Sequence, residues 1–352
     1  TDTLPSSEPS ANNTTLLFDE GLATASWQTT DVGQYTLNLT DDSSAIVVDE
    51  NGDPRSVSGQ GAQWTVRPFG FDVTVADNPG ASSAGGSAFL AAGRPFDITI
   101  RAVAHSSGDD GDDDGLPDNH ASADPAGNAN LSDNATTDAF GGGPTLSVAL
   151  SGELVAGPSG ASDPGLSGVS SVSGFSAGQT TVSARYNEVA SISLFADIGG
   201  SYLGAAAPVI GRSGFVGRFH PERFTAQPAD GSFEAQCNNF TYTGQEHSYS
   251  LEPQVRITPL GYTDSGPAPV LNNYRQDWQK LTANDVTRDY PSQDSGNALE
   301  VSVAPKTPSL APLGDGRMDF VFGDDDYTYT KTPASKLNPF DSDLLVQITS
   351  ID

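Results

Sequence analysis

The chain of 352 residues holds one cysteine, Cys237, and one methionine. A single thiol cannot close an internal disulfide, so cores and hydrogen bonds must hold the fold. Cys237 also has no CxxC partner and no neighbouring basic tract to make it a reactive thiolate. Lysine is nearly absent, with 4 residues, and glutamate supplies 10 acids against 35 aspartates, so the charged residues that favour helices are scarce. Positive charge is scarce altogether: 16 Lys plus Arg against 45 Asp plus Glu leave a formal net charge of −29 at pH 7. A polyanion of that size repels phosphate backbones and anionic lipid, which excludes nucleic-acid or membrane-surface binding as a main role. No apolar run reaches the roughly 18 to 20 residues needed to span a bilayer. The opening TDTLPSSEPSANNTT lacks the charged and apolar regions of a signal peptide. The absence of an initiator methionine predicts a mature or excised piece, and the extreme acidity with little lysine or sulfur predicts an exposed, extracellular protein.

What the chain has in abundance is turn formers and aromatics: 38 Gly, 24 Pro, 16 Phe and 10 Tyr. Alternating apolar and polar residues recur in runs such as QWTVRPFGFDVTV, PFDITIRAVA, TLSVALSGELV, ASISLFADI, QVRITPL and RMDFVFG, separated by DD, NG, GD and PG signals. The only helix candidate, at 274–281, is short. The fold class expected is all-β: tandem immunoglobulin-like β-sandwich modules in an elongated arrangement. The boundaries read from the sequence are 1–68 for a partial or minimal module of about four strands, 69–218 for a sandwich with an acidic insert at 106–144, and 219–352 for a further sandwich. Asp31-Val32-Gly33-Gln34-Tyr35 has the D-x-G-x-Y spacing of a tyrosine corner, in which the hydroxyl bonds back to the preceding turn. The run VGRFHPERF, without a Gly/Ser tract, reads as a taut junction between the last two modules. The insert at 106–144, polar and acidic with almost no apolar anchor, reads either as disordered or as organised by an ion.

Within that insert, GDDGDDDGLPD sets Asp110, Asp112, Asp114, Gly115 and Asp118 in the register D-x-D-x-D-G-x-x-D. Calcium takes six to eight hard oxygen ligands, and carboxylates on alternate residues of a tight loop converge on one ion while Gly permits the turn. Asp110, Asp112, Asp114 and Asp118 are therefore the expected calcium ligands. The twelfth loop position is Ala121, so the usual closing carboxylate is missing and must come from elsewhere, with Asp124 the candidate. The competing reading is an acidic low-complexity loop. Asp324, Asp325 and Asp326 read as a solvated turn, because successive side chains of a hairpin point to opposite faces. Gly174-Phe175-Ser176-Ala177-Gly178 matches G-x-S-x-G, but QTTVSARY after it reads as a strand rather than the helix of a nucleophile elbow, so a plain turn is expected. The four histidines show no zinc spacing, and His120 reads as a surface imidazole near the acidic loop. No catalytic constellation emerges, and the chain reads as non-enzymatic.

Taken together and in order, WTVRPFGFDVTV, ARYNEVASISLFADIGGSYLG, VGRFHPERF, CNNFTYTGQEHSYSLEPQVRITPLG, NNYRQDWQKL and FVFGDDDYTYTKTPASKLNPFDSDLLVQI resemble the C-terminal half of MshQ-like proteins. Those are large secreted proteins encoded with mannose-sensitive haemagglutinin (MSHA) type IV pili of aquatic Gram-negative bacteria. The resemblance spans 23–351 and implies immunoglobulin-like β modules on a pilus-associated surface protein, with no enzymatic activity and no catalytic residues. It does not cover the acidic stretch, so calcium rests on spacing alone. It also lacks the N-terminal lectin-like part of some relatives. The function expected is thus a calcium-stabilised stalk or adhesin-like component with pilus proteins or a cell-surface receptor or glycan as partners. The alternative is a carbohydrate-binding module that stacks sugars on Trp27, Trp64, Trp278 or Tyr274, against the plainer reading that the tryptophans are core.

Overall fold

The computed structural model describes residues 19–24, 29–41, 48–53, 57–143, 146–289, 299–304, 306–331 and 345–348. In the first stretch, β1 (Gly33–Asp41) and β2 (Val57–Val66) pair as an antiparallel hairpin with an irregularity between Thr36 and Asn38. The D-x-G-x-Y turn that feeds it closes as its spacing demands: Tyr35 Oη donates to the carbonyl of Asp31 at 3.2 Å. The Asp31 carboxylate accepts the N–H of Val32 at 2.8 Å and of Ala139 at 3.0 Å, and Val32 is 1% exposed. The hairpin is therefore pinned to the next module through one buried apolar side chain and one capping carboxylate. Gln34 Nε2 and Thr65 Oγ1 add bonds to the carbonyl of Leu203, at 3.0 and 3.2 Å.

That next module is a two-sheet β unit built from β3 (Gly70–Val75), β4 (Phe96–Val103), β5 (Val148–Ala156), β6 (Leu166–Ser167), β7 (Ser171–Val172), β8 (Gln179–Tyr186), β9 (Ser191–Asp197) and β10 (Ile210–Arg212). One antiparallel sheet has the order β3-β4-β8-β6 and the other β10-β9-β5-β7. Alternation decides which faces turn inward: along β4, Phe96, Ile98, Ile100 and Ala102 are buried, while Asp97 is exposed. They join Phe71, Val148, Leu150, Ile192 and Leu194 in one core. At the corner where β3 meets β10 the backbones approach so closely that a Cβ on Gly211 would stand 1.9 Å from the carbonyl oxygen of Phe71. Only glycine fits there. The G-x-S-x-G segment is the turn between β7 and β8, closed by mutual backbone bonds of Ser176 and Gln179.

The insert is ordered, contrary to one of the two readings it invited. It holds a 3₁₀ turn at Leu131–Asp133, and the side chain of Asn130 caps that turn. The anchor that looked absent is Phe140, fully buried against Phe71, Phe175 and Tyr202. One well-placed aromatic, flanked by Leu131 and Ala139, secures the segment where a periodic pattern is lacking.

The remaining chain forms β11 (Arg223–Ala229), β12 (Ser232–Phe233), β13 (Glu246–His247), β14 (Tyr249–Leu251), β15 (Gln254–Leu260), β16 (Val286–Asp289), β17 (Leu299–Ala304), β18 (Ser309–Pro312), β19 (Met318–Val321), β20 (Asp326–Lys331) and β21 (Leu345–Ile348). Sheets β11-β15-β19-β18 and β13-β20-β17 are accompanied by the pairs β12-β14 and β16-β21, all antiparallel. The helix candidate at 274–281 reduces to one 3₁₀ turn, Gln276–Trp278. Tyr274 Oη replaces further helical bonds by accepting the N–H groups of Lys280 and Leu281 at 3.1 and 2.8 Å.

The junction between the two modules is rigid in its bonding. Phe219 is fully buried against Phe89, Phe96 and Tyr186, and Ala92 N–H donates to His220 O at 2.8 Å while Tyr262 N–H donates to Ala92 O at 2.7 Å. Hydrophobic side chains from Val32 through Ile192 and Phe219 to Phe322 belong to one connected core.

Asp324, Asp325 and Asp326 do not form a solvated turn. Asp325 is fully buried, accepting from Arg288 Nη1 at 2.9 Å and from Lys306 N–H at 2.7 Å. Asp324 accepts the Tyr249 N–H at 3.0 Å, and Asp326 pairs with Lys306 Nζ at 2.7 Å. The three consecutive carboxylates thus engage different groups, with Lys306 serving Asp325 through its N–H and Asp326 through its Nζ.

Candidate metal centre

The acidic loop leaves β4 at Val103 and returns through Asp118 to the 3₁₀ turn at Leu131–Asp133. Its geometry follows from aspartates accepting nearby backbone N–H groups, which short side chains do readily. Asp110 Oδ1 accepts from Asp114 N–H at 3.0 Å, and its Oδ2 accepts from Gly115 N–H at 3.1 Å. Asp118 Oδ2 reaches back across the loop to Gly111 N–H at 3.0 Å, and the Asp118 N–H closes on Asp109 O at 2.9 Å. The effect is to bring together one carboxylate oxygen each from Asp110, Asp112 and Asp118, all within 4.8 Å of one another.

Three of the four residues in the calcium register thus converge. Asp114 is not in the group; its Oδ1 accepts the Leu116 N–H at 2.8 Å, a local two-residue turn. Asp124 is not in the group either; its Oδ1 accepts the Ala126 N–H at 3.0 Å. The donor set is all carboxylate oxygen, the chemistry of a hard cation, and three side chains leave places that water and loop carbonyls would have to fill. Beside the trio, Asp109 is 8% exposed and its Oδ2 is buried without a hydrogen-bond partner among the described residues. Two basic side chains border the loop. Arg67 donates from Nη1 to the carbonyl of Pro68 and from Nη2 to that of Gly115. Burial lowers its pKa, and Asp110 and Asp114 pull it back up. His105 Nε2 lies 3.7 Å from Asp110 Oδ2.

His120 is not a surface imidazole. It is 1% exposed, with Nε2 donating to Ala129 O at 2.9 Å and Nδ1 accepting the N–H of Arg212 at 2.9 Å. That N–H belongs to β10, the edge strand of its sheet, so the ring covers an edge group that would otherwise need water. Burial depresses its pKa below the ordinary histidine value, in keeping with a neutral ring that accepts at Nδ1. The Arg212 guanidinium continues the network to Glu153 and Ser193, each at 2.8 Å. This anchoring left no sequence signal beyond the position of His120 two residues after Asp118.

The other histidines gather no metal site: among the described residues the aspartate trio is the one group of potential ligands in such proximity. Tyr274 and Trp278 are core residues at 0 and 5% exposure, which removes two proposed sugar platforms. Trp64 is exposed and stacks on Tyr35, and Trp27 lies outside the described residues.

Residues 67–187 match the family model described as DUF6701, second domain, and residues 188–352 match DUF6701, third domain. The two matches meet at Asn187 and Glu188, whereas the hydrogen-bonded sheets of the sandwich continue through β9 and β10 to Arg212. No curated protein and no solved structure matches the chain.

Proposed function

We propose, from the premise that this chain belongs to the DUF6701 family through its consecutive second and third domains, that it is a non-enzymatic stalk of an extracellular, MshQ-like adhesin at a type IV pilus or cell surface. The observation that carries this reading is the continuity of packing across the junction. Phe219 is buried in the aromatic core of the sandwich while the adjoining backbone pairs with both modules. A load applied along the chain must therefore shear packed strands rather than extend a linker, which suits a spacer. A net charge of −29 keeps such a surface soluble and free of non-specific contact with anionic envelopes.

Calcium is part of the proposal. Asp110, Asp112 and Asp118 hold like charges together, and a divalent ion offsets that repulsion and ties the loop's two ends. Sites with few protein ligands in extracellular modules bind at roughly 0.1 to 1 mM, within reach of external calcium. Calorimetric titration of calcium into chelator-treated protein should give a saturable heat that an Asp112→Ala variant loses. Equal heats would end the calcium reading. For the stalk reading, antibody to this chain should label intact cells of its source and follow the surface fraction sheared from them. Retention of the protein inside the cells would refute it.

A further inference from the structure

At the junction of the two modules lies an open cleft of about 380 Å³ that no role above uses. Its walls come from both sides: Ser167 on β6, Arg185 on β8 and Asn187 from the sandwich, Tyr262 and Asp264 from the loop after β15. Small-molecule sites favour such interdomain positions, and pockets of about 300 Å³ upward accommodate ligands.

The polar groups are held in place by one another. Arg185 Nη1 donates to Gly93 O at 2.8 Å and Nη2 to Asp264 Oδ2 at 2.5 Å, while Tyr262 Oη donates to Asp264 Oδ1 at 2.9 Å. Asn187 Nδ2 donates to Ser167 Oγ at 3.0 Å. An amide has two hydrogens and an acceptor oxygen, and a carboxylate has about four acceptor sites, so Asn187 and Asp264 retain capacity for a ligand. The Tyr262 ring lies 4.5 Å from the guanidinium carbon of Arg94, which is itself paired with Glu222 at 2.8 Å. Both arginines are paired with carboxylates, Arg94 with Glu222 and Arg185 with Asp264.

We propose that this cleft binds a neutral saccharide. A sugar hydroxyl donates and accepts at once, and a lining that offers an amide, hydroxyls, a guanidinium, a carboxylate and an aromatic ring supplies both functions. Arg94 and Arg185 are each already engaged by a carboxylate, and the field of a chain at −29 opposes an acidic sugar. This binding goes beyond the stalk reading and does not depend on where the protein resides.

Saturation-transfer NMR on the whole chain tests it, with glucose, galactose, mannose, N-acetylglucosamine, maltose and cellobiose as neutral probes and galacturonate and sialyllactose as anionic ones. At least one neutral probe should bind with a millimolar Kd. Asn187→Ala or Asp264→Asn should weaken it tenfold or more with an unchanged melting temperature, and Trp64→Ala should leave it unaltered. The proposal is overturned if no neutral probe gives transfer at tens of millimolar, if only the anionic probes bind, if both cleft variants bind as the parent does, or if Trp64→Ala abolishes the signal.

Discussion

Glu188 offers the sharpest quantitative test of how the two modules are joined. Its side chain is 4% exposed and accepts three backbone N–H groups: Val189 at 2.9 Å, Asn273 at 3.1 Å and Asn272 at 3.0 Å. The last two lie in the far module, where Asn273 also donates to Ser162 O at 2.8 Å. Glu188→Ala strands these donors. Bonds to a charged acceptor contribute roughly 1.5 to 3 kcal/mol each, but truncation also relieves the cost of burying the carboxylate, so the net loss should be about 2 to 4 kcal/mol. Glu188→Gln keeps one acceptor oxygen and should cost about half as much. Urea unfolding followed by tryptophan fluorescence measures both. The pH dependence sharpens the test. Burial, outweighing the N–H donors, raises the Glu188 pKa. The folded protein then binds this proton more tightly than the unfolded chain, so the group's stabilising contribution is complete below the unfolded value near 4.3 and declines as pH rises through the folded pKa. The gap between parent and Glu188→Ala should therefore be wider at pH 4.5 than at pH 7. A variant within 0.5 kcal/mol of the parent at both pH values would refute the reasoning.

Three further outcomes follow from the same structure. His120, whose pKa burial depresses, is held neutral in the fold, so its contribution is intact above the unfolded value near 6.5 and is lost as pH falls below it. Thermal melts between pH 7.5 and 5 should show a decline that is smaller in His120→Gln. Gly211→Ala places a methyl 1.9 Å from Phe71 O and should cost about 3 kcal/mol or more, read as a fall in the melting temperature. Tyr35→Phe removes the hydroxyl's bond to Asp31 O and the longer one it accepts from Thr29 Oγ1, and should cost about 1 kcal/mol, with the hairpin's amides exchanging faster with deuterium.

Much of the fold was legible because its signals are local. The alternation of PFDITIRAVA became β4, QVRITPL fell within β15, and the turn chemistry of Asp31 to Tyr35 and Gly174 to Gly178 needs only neighbours in sequence. The ordering of the insert was not legible. Phe140 and Leu131 are isolated apolar residues without period; the first is buried by Phe71 and Phe175 and the second by Phe69 and Val103, all distant in the chain. Asp325 looked like surface for the same reason: its partner Arg288 is 37 residues away. At the candidate metal centre Asp110, Asp112 and Asp118 of the register lie together. Asp114 stands apart from them, its Oδ1 accepting the Leu116 N–H two residues on.

The crossing of β9 into the sheet of β5 bears on how this family can be dissected. A fragment stopped at Asn187 forfeits β9 and β10, and β5 then presents a bare row of amides and carbonyls from Ala149 to Ala156 to any passing strand. Such a piece should self-associate, whereas one carried on to Arg218 keeps that flank occupied. The matched second domain therefore ends at residue 187, short of the last strand of its sandwich, which ends at Arg212.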